Sequence, residues 1–170
     1  MSLESNPLRD AWAAWLPGAL PHLEAENYAE VMPSLPKPEF QPIPFQAAPP
    51  AARRRIALST SSGAYDTQTQ APFASFSTVG DTSFRVLPIG LADERIGFEH
   101  GHFSDEFVLA DREVLLPRRA LAKLGAPLTA NLISTMGYAL DFATLIESTI
   151  PQLIAQLKND GANCALLVPV

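Results

Sequence analysis

The sequence predicts an α/β protein with a mainly parallel, Rossmann-like sheet flanked by helices, a partial doubly wound domain preceded by a proline-rich N-terminal arm. Short apolar runs alternate with segments of helical periodicity. The longest helical pattern, at 138–158, leads through a glycine into an apolar run at 164–168, which is half of an α/β crossover. Ten of the 16 prolines fall within the first 50 residues. Composition therefore divides the chain into residues 1–52 and residues 53–170.

The N-terminal part begins with a predicted helix. Asn6 is a suitable N-cap and Pro7 suits the first helical position. Four large apolar residues share one face at helical spacing, namely Leu8, Trp12, Trp15 and Leu16. Two tryptophans on one helix need an apolar partner surface, either in their own domain or on another subunit, and we favour their own domain.

A proline-rich segment follows at 33–50. Proline recurs there every few residues, which excludes a regular helix or a central strand and predicts an extended arm. Its apolar side chains, Phe40, Ile43 and Phe45, predict that the arm lies against a surface.

The elements of residues 53–170 are predicted from the spacing of apolar residues and from the glycines and prolines that begin or end each run. A buried strand is predicted at 56–60 before the turn at 61–63, and alternating strands are predicted at 84–88 and 95–100. Pro117 opens a helix that reaches Leu124 and stops at Gly125. The pattern at 138–158 predicts a helix that Pro151 kinks and Gly161 ends, followed by a buried strand that contains Cys164.

Composition excludes several classes of function. The net charge of −6 disfavours nucleic-acid binding, which needs a basic surface. No run of 18 apolar residues indicates a membrane span, and the first residues lack the pattern of a signal peptide. With one cysteine the chain has no disulfide framework, so a reducing cytoplasm is the simplest compartment.

The densest group of ionisable residues lies at 99–106. It contains His100, His102 and Asp105, and a His-x-His pair at a strand end can chelate a metal ion. The third histidine, His22, lies in the N-terminal part, so a three-histidine site is not expected. Three interpretations stay open: a metal site, acid–base or substrate-binding histidines, and a hydrogen-bonded structural pair. We predict no resident metal and no cofactor.

A second polar group precedes the strand at 84–88. Asp81, Thr82, Ser83 and Arg85 place small donors and acceptors where a carboxylate or phosphate could bind. An Asx turn that leads into the strand explains the same spacing equally well. The chain has no phosphate-binding glycine motif, no nucleophile-elbow motif and no Cys-x-x-Cys.

Taken in order, several segments resemble the selenoprotein B family, the substrate-reducing subunits of glycine, sarcosine and betaine reductases and of D-proline reductase. The resemblance rests first on RIALSTSSG at 55–63, QAPF at 70–73 and GDTSFR at 80–85. It continues through HGHFSD at 100–105, LLPRRAL at 115–121, MGY at 136–138 and the helix-to-strand passage at 157–169. It covers about residues 53–170.

The resemblance implies reductive cleavage of a C–N or similar bond in a small amine or amino-acid-derived substrate. A selenocysteine or cysteine is the nucleophile in that family, and a dithiol/disulfide couple supplies electrons. Other reductase subunits or a second copy are the expected partners. We assign His100, His102 and Asp105 to proton handling or substrate orientation, and Asp81, Thr82, Ser83 and Arg85 to substrate anchoring.

In that family the nucleophile follows the final strand almost immediately, whereas this sequence stops at Val170. Two explanations are open. The chain is either the first part of a protein whose gene reads on through a selenocysteine codon, or a short paralogue whose partner subunit supplies the nucleophile. The alternative from another functional class is a non-catalytic interaction or accessory domain that docks through its N-terminal arm.

Overall fold

The computed structural model describes residues 6–38, 45–101 and 106–170 and shows a mixed α/β fold. The strands are β1 Ile56–Thr60, β2 Ala64–Asp66, β3 Phe84–Pro88, β4 Ile96–Phe98, β5 Asn131–Thr135 and β6 Cys164–Val168. The main sheet has four strands, mostly parallel, in the order β3-β5-β1-β6, and a separate antiparallel pair joins β2 and β4. Strand β1 runs parallel to both β5 and β6, whereas β3 is antiparallel to β5.

Helices flank the sheet. The α-helices are α1 Pro7–Glu24, α2 Tyr28–Val31, α3 Glu106–Ala110, α4 Arg118–Lys123, α5 Phe142–Thr144 and α6 Ile150–Asn159. Across the described ranges, none of the helices is both long and apolar enough to cross a membrane.

The predicted N-terminal helix is confirmed, and α1 is longer than its apolar stripe suggested. The Asn6 side chain accepts a hydrogen bond from the Arg9 backbone N–H at 3.2 Å, as an N-cap does. The helix continues past Pro17 and Pro21 because Ala19 and Leu23, on its inner face, are buried. His22 lies in its last turn.

The tryptophans of α1 pack against the chain's own domain, as predicted. Trp12 is only 7% exposed, and its ring stacks on Phe142 with centroids 4.4 Å apart. Trp15 donates its indole N–H to Ser34 Oγ at 3.0 Å. The stack on Phe142 joins α1 to the segment that follows β5, whereas the bond to Ser34 stays within the N-terminal part.

The proline-rich segment is described at 33–38 and at 45–50. Pro33 lies in a short 3₁₀ turn, Met32–Ser34, and no helix or strand forms at 35–38 or 45–50. Phe45 is 94% exposed, so the prediction that it lies against a surface is wrong for this residue. Phe40 and Ile43 lie outside the described residues.

The core lies on both faces of the sheet. On one face Leu58, Leu87 and Leu132 pack together with Leu116, and Leu121 of α4 contacts this cluster. The opposite face carries the buried residues Ala57 and Ile133. There Asn131 at the start of β5 donates to Asp160, just after α6, at 3.0 Å.

The long helical pattern at 138–158 forms two helices joined by a π-helical turn, Leu145–Thr149. Pro151 is the second residue after this turn. A proline has no N–H and its ring clashes with the carbonyl four residues earlier, so a wider turn accommodates it. The predicted interruption is therefore confirmed, and Gly161 takes a φ of +73° beyond α6, as expected for its cap position.

Three strands differ from expectation. The sequence analysis missed the short strand β2, and it missed β5 although that strand carries two β-branched residues, Ile133 and Thr135. The prediction that the last strand is buried is wrong, because β6 is an edge strand and its middle residues are exposed. Cys164 is the first residue of β6 and half-buried, so it does not lie in the interior of the strand.

Candidate functional site

The carboxyl ends of β1 and β5 meet in two tightly packed turns. The Gly63 N–H donates to Thr135 O at 2.8 Å. Gly137 has a φ of +85°, and a side chain there would bring its Cβ within 2.9 Å of Ser61 O. Loops gather at this edge in α/β sheets, which makes it the first place to look for a ligand site.

Two buried hydroxyl groups lie at the same edge. Ser62 follows β1 and Ser134 lies in β5, and both side chains are fully buried. Neither Oγ has a hydrogen-bond partner in the described part of the chain. A buried hydroxyl without a partner costs about 1–3 kcal/mol, so these serines destabilise the fold locally.

The loop before β3 is attached to the segment after β5. The Asp81 N–H donates to Tyr138 O at 3.1 Å, and the Leu140 N–H donates to Val79 O at 2.8 Å. Between these bonds, Gly80 has a φ of +76°, and an added Cβ would lie 2.1 Å from Tyr138 O. Glycine is therefore required at this position, and the position of Tyr138 depends on it.

Asp81 and Ser83 form the Asx turn that was one of two alternatives. Asp81 Oδ1 accepts hydrogen bonds from the Ser83 N–H at 2.8 Å and from Ser83 Oγ, while Oδ2 accepts from the Ala74 N–H at 2.9 Å. Burial raises the pKa of Asp81, but these hydrogen bonds outweigh burial and hold the pKa below its ordinary value. Thr82 lies within the same turn, half-buried.

The guanidinium of Arg85 is engaged in contacts within the chain. It donates to Ala71 O at 3.1 Å, Pro72 O at 3.2 Å and Ser83 Oγ at 2.7 Å. Its Cζ lies 4.2 Å from the centroid of the Phe73 ring, a cation–π contact. Together with Asp81, it fixes the loop that contains Ala71 to Ala74.

The continuation of that loop, residues 75–78, forms one wall of a cavity of about 230 Å³. The end of α1 and the residues after it form the opposite wall, and Tyr138 contributes its ring. The Tyr138 hydroxyl donates to Thr78 O at 2.9 Å. Burial, with a smaller contribution from Tyr28, raises the pKa of Tyr138, so the phenol is neutral at physiological pH. The described lining residues are Leu23, Glu24, Glu26, Tyr28, Ser75, Phe76, Ser77, Thr78, Gly101 and Tyr138.

The lining is acidic and aromatic. Glu24 and Glu26 bring two carboxylates, and the lining residues that the structure describes include no lysine or arginine. Tyr28, Phe76 and Tyr138 add three aromatic rings, of which the first two are largely exposed. Carboxylates and aromatic faces are the groups that attract ammonium ions. The cavity is therefore suited to a small cation.

Glu26 has an unusual backbone conformation. Its φ of +55° lies in the left-handed region, which a glutamate rarely adopts. Its N–H donates to Leu23 O at 3.1 Å, and the next N–H, of Asn27, donates to His22 O at 2.8 Å. These bonds terminate α1 and fix the backbone of Glu26 beside the cavity. The left-handed conformation of Glu26 costs about 1–2 kcal/mol of folding free energy.

The structure places His100 beside this cavity. His100 is half-buried and directly precedes the lining residue Gly101. Its other neighbour, Glu99, accepts a hydrogen bond from Ser75 Oγ at 2.5 Å, which ties the segment after β4 to the cavity loop. His102 and Asp105 lie outside the described residues. His100 is therefore next in sequence to a lining residue without being one itself. The residues Asp81, Thr82, Ser83 and Arg85 do not line the cavity either.

The described residues offer no set of metal ligands. Within residues 6–38, 45–101 and 106–170, no group of three or more His, Cys, Asp or Glu side chains is placed to hold an ion. The three interpretations of the histidine pair remain open.

The sequence analysis missed the acidic wall of the cavity. Glu24, Glu26 and Tyr28 belong to the N-terminal part, which composition separates from the α/β domain. They come to the site because the apolar face of α1 packs on Leu140 and Phe142, just after β5. The local sequence signal that could have indicated this wall is the pair of glutamates close to Tyr28.

Comparisons with known proteins found no matching family model, no matching curated protein and no matching solved structure. Function is therefore inferred from the residues and geometry of the chain itself.

Proposed function

We propose that the chain is a subunit or fragment of a selenoprotein B-type reductase that binds a small amine for reductive cleavage with a dithiol/disulfide couple. The observation that carries this proposal is the acidic, aromatic cavity beside His100. It supports the amine substrate that the resemblance implies, because Glu24 and Glu26 add negative charge to the lining and Tyr28 and Tyr138 add aromatic rings to it.

The size of the effect follows from the exposure of these groups. A cation over an exposed aromatic ring gains about 0.5–1 kcal/mol, and an exposed ion pair gains about 0.2–1 kcal/mol. Two carboxylates and two or three rings therefore supply a few kcal/mol, which corresponds to a millimolar dissociation constant. Such an affinity suits a metabolite-sized substrate.

We propose distinct roles for the predicted site residues. Asp81, Ser83 and Arg85 anchor the substrate indirectly, because they fix the loop that lines the cavity, and Thr82 belongs to the same turn. His100 is the candidate proton donor to the leaving amine, because it directly precedes the lining residue Gly101 and imidazole is the side chain that most often serves as a general acid. His102 and Asp105 remain candidates from the sequence for the same step.

The attacking selenolate or thiolate comes from a residue other than Cys164. Cys164 begins β6, so four residues, about 13 Å, separate it from the carboxyl end of that strand. Its thiol lies 3.7 Å from Arg55 O, at the amino end of the sheet. We therefore propose that this chain binds and orients the amine, and that the nucleophile comes either from a continuation of the same protein or from a partner reductase subunit.

We also propose that the sheet belongs to a Rossmann-like, doubly wound architecture with residues 33–50 as an extended arm. The strand order supports this, because β5 and β6 lie on opposite sides of β1. In open α/β sheets, ligands bind in the crevice outside the carboxyl ends of the strands, at the point where the strand order reverses in this way. With a single cysteine, we assign the protein to the reducing cytoplasm.

The alternative is an interaction domain that docks onto a partner through its N-terminal part. The two tryptophans on which that alternative depended already have contacts within the chain. Trp12 stacks on Phe142, and Trp15 bonds to Ser34, so both tryptophans are used within the chain.

A calorimetric titration tests the amine site. Glycine betaine is compared with 3,3-dimethylbutyrate, which has the same shape and carboxylate but no positive charge. We expect millimolar binding of betaine and at least tenfold weaker binding of the analogue that lacks the ammonium group. Glu24→Gln with Glu26→Gln should weaken betaine binding about tenfold, since each exposed charge contributes up to about 1 kcal/mol.

The control variant is Glu94→Gln, which removes one charge from an exposed glutamate that is not among the lining residues. It should leave betaine binding unchanged. Equal binding of the two ligands, or equal loss in the control and the double variant, would refute a cation site at this cavity.

A further inference from the structure

A second and larger cavity, of about 780 Å³, lies at the other end of β5 from the amine cavity. Leu128, which precedes β5, lines the large cavity, whereas Tyr138, which follows β5, lines the amine cavity. The loop after β3, helix α4 and the segment that leads into β5 form its walls. Cavities of about 300–1,000 Å³ with a mainly apolar lining are typical of small-molecule sites.

Hydrogen bonds hold the walls of the large cavity in place. The Arg118 guanidinium of α4 donates to Ile89 O, in the loop after β3, at 3.1 Å. The Ile89 N–H donates to Ala130 O at 2.8 Å, which ties the same loop to the residue before β5. The Ala126 N–H donates to Leu121 O at 3.0 Å and joins the third wall to α4. The cavity is therefore formed without a ligand, as small-molecule sites usually are.

The charged residues of the lining are balanced and paired. Two of them are acidic and two are basic, so the lining carries no net charge. Asp93 accepts hydrogen bonds from Arg118 and, at 2.8 Å, from Arg119. The Glu113 carboxylate lies 3.3 Å from Arg119 Nε. Arg118 Nε has no hydrogen-bond partner in the described part of the chain, but it is buried away from solvent. Neither arginine therefore offers an unpaired cation to an anionic ligand.

We propose that the large cavity is a second binding site, which takes an uncharged and mainly apolar small molecule. Leu91, which is buried, and Ile89 and Leu128, which are half-buried, supply apolar surface to the lining. Contact with them removes apolar surface of the ligand from water, which favours binding. A charged ligand would lose hydration without gaining an unpaired counter-ion. The cavity adjoins β3, at the edge of the sheet opposite β6.

A fluorescence titration with N-phenyl-1-naphthylamine tests the site, because this uncharged probe becomes brighter in apolar surroundings. The protein is titrated into a trace of the probe, and we expect saturable binding with a dissociation constant on the order of 100 μM. The second probe, 8-anilinonaphthalene-1-sulfonate, has the same rings and adds a sulfonate, so it should bind about tenfold more weakly. A lack of saturable binding, or equal or tighter binding of the sulfonate, would overturn the proposal.

Two substitutions on α4 locate the bound probe. Ala122→Phe places a ring at a lining position and should weaken binding of the uncharged probe at least about tenfold, since the ring takes space that the probe needs. Ala120→Phe is the matched control. Ala120 is exposed on the same helix, is not a lining residue, and lies about 200° around the helix from Ala122. The control should bind the probe like the parent, and equal affinities of the two variants would contradict the site.

Gly90→Phe tests the wall formed by the loop after β3. No atom lies within 4 Å of the position that a Cβ would take at Gly90, so the fold accommodates a side chain there. This variant should also weaken probe binding, and parental affinity would contradict the placement. Saturating betaine, or the variant with Glu24→Gln and Glu26→Gln, should leave probe binding unchanged. Displacement of the probe by betaine would place it in the amine cavity and overturn the proposal. Each of the two sites can therefore fail without the other.

Discussion

Gly80 is the residue whose replacement should perturb the site most selectively. Its φ is +76°, and an added Cβ would lie 2.1 Å from Tyr138 O and 2.8 Å from the Tyr138 ring. Gly80→Ala therefore has two costs. The left-handed backbone costs about 1–2 kcal/mol for alanine, and the overlap with a backbone carbonyl forces the two segments apart.

Gly161 provides a matched control for the first cost. Its φ is +73°, but no atom lies within 4 Å of the position of its Cβ. Gly161→Ala should therefore lose only the conformational term, about 1–2 kcal/mol. Gly80→Ala should lose at least about 2 kcal/mol more, because the hydrogen bond from Asp81 to Tyr138 O must also break or lengthen.

Urea unfolding, followed by circular dichroism, measures both free energies of unfolding. For a chain of this size the extra loss in Gly80→Ala corresponds to a further fall of about 4–8 °C in the melting temperature. Betaine titration of the same variant should also show weakened binding, since Tyr138 moves. Equal destabilisation of the two alanine variants would refute the inferred contact between Gly80 and Tyr138.

Three further substitutions have defined outcomes. Arg95 donates to Asp66 and lowers its pKa to about 2, so the stability that Asp66 contributes is present above about pH 4 and is lost as pH falls toward 2. Acid titration of Asp66→Asn should lack that part of the transition, and an unchanged acid limb would contradict the ion pair. Trp12→Ala should cost about 3–5 kcal/mol in urea unfolding because it empties the stack on Phe142, whereas a loss under 1 kcal/mol would mean that α1 does not dock. Ser134→Ala should raise stability by up to about 1 kcal/mol because its buried hydroxyl has no partner in the described chain, and a large loss would reveal a hidden hydrogen bond.

The elements of the fold that the sequence predicted are those with local signals. Helix α1 has its cap at Asn6, α4 begins after Pro117, and α6 ends before Gly161. Their boundaries depend on hydrogen bonds within a few residues, so the apolar spacing together with the capping residue, proline or glycine suffices to place them.

Strand neighbours could not be predicted in the same way. An apolar run such as 164–168 is typical of a strand buried on both faces, yet β6 lies at an edge because sheet order depends on pairings far apart in sequence. The same limit explains the site. His100 and Tyr138 were within motifs that the sequence singled out, whereas Glu24 and Glu26 reach the cavity through the docking of α1.

The most direct test of the amine site is an NMR measurement of where betaine binds. Nuclear Overhauser effects are recorded between its N-methyl protons and isotopically labelled aromatic rings. The cavity predicts cross-peaks to Tyr28 and Tyr138, since a bound ammonium lies within about 6 Å of a ring centroid. At the same betaine concentration these cross-peaks should be much weaker in the variant with Glu24→Gln and Glu26→Gln, because its affinity is about tenfold lower. Saturable betaine binding whose cross-peaks report only residues away from this cavity would contradict the proposed site.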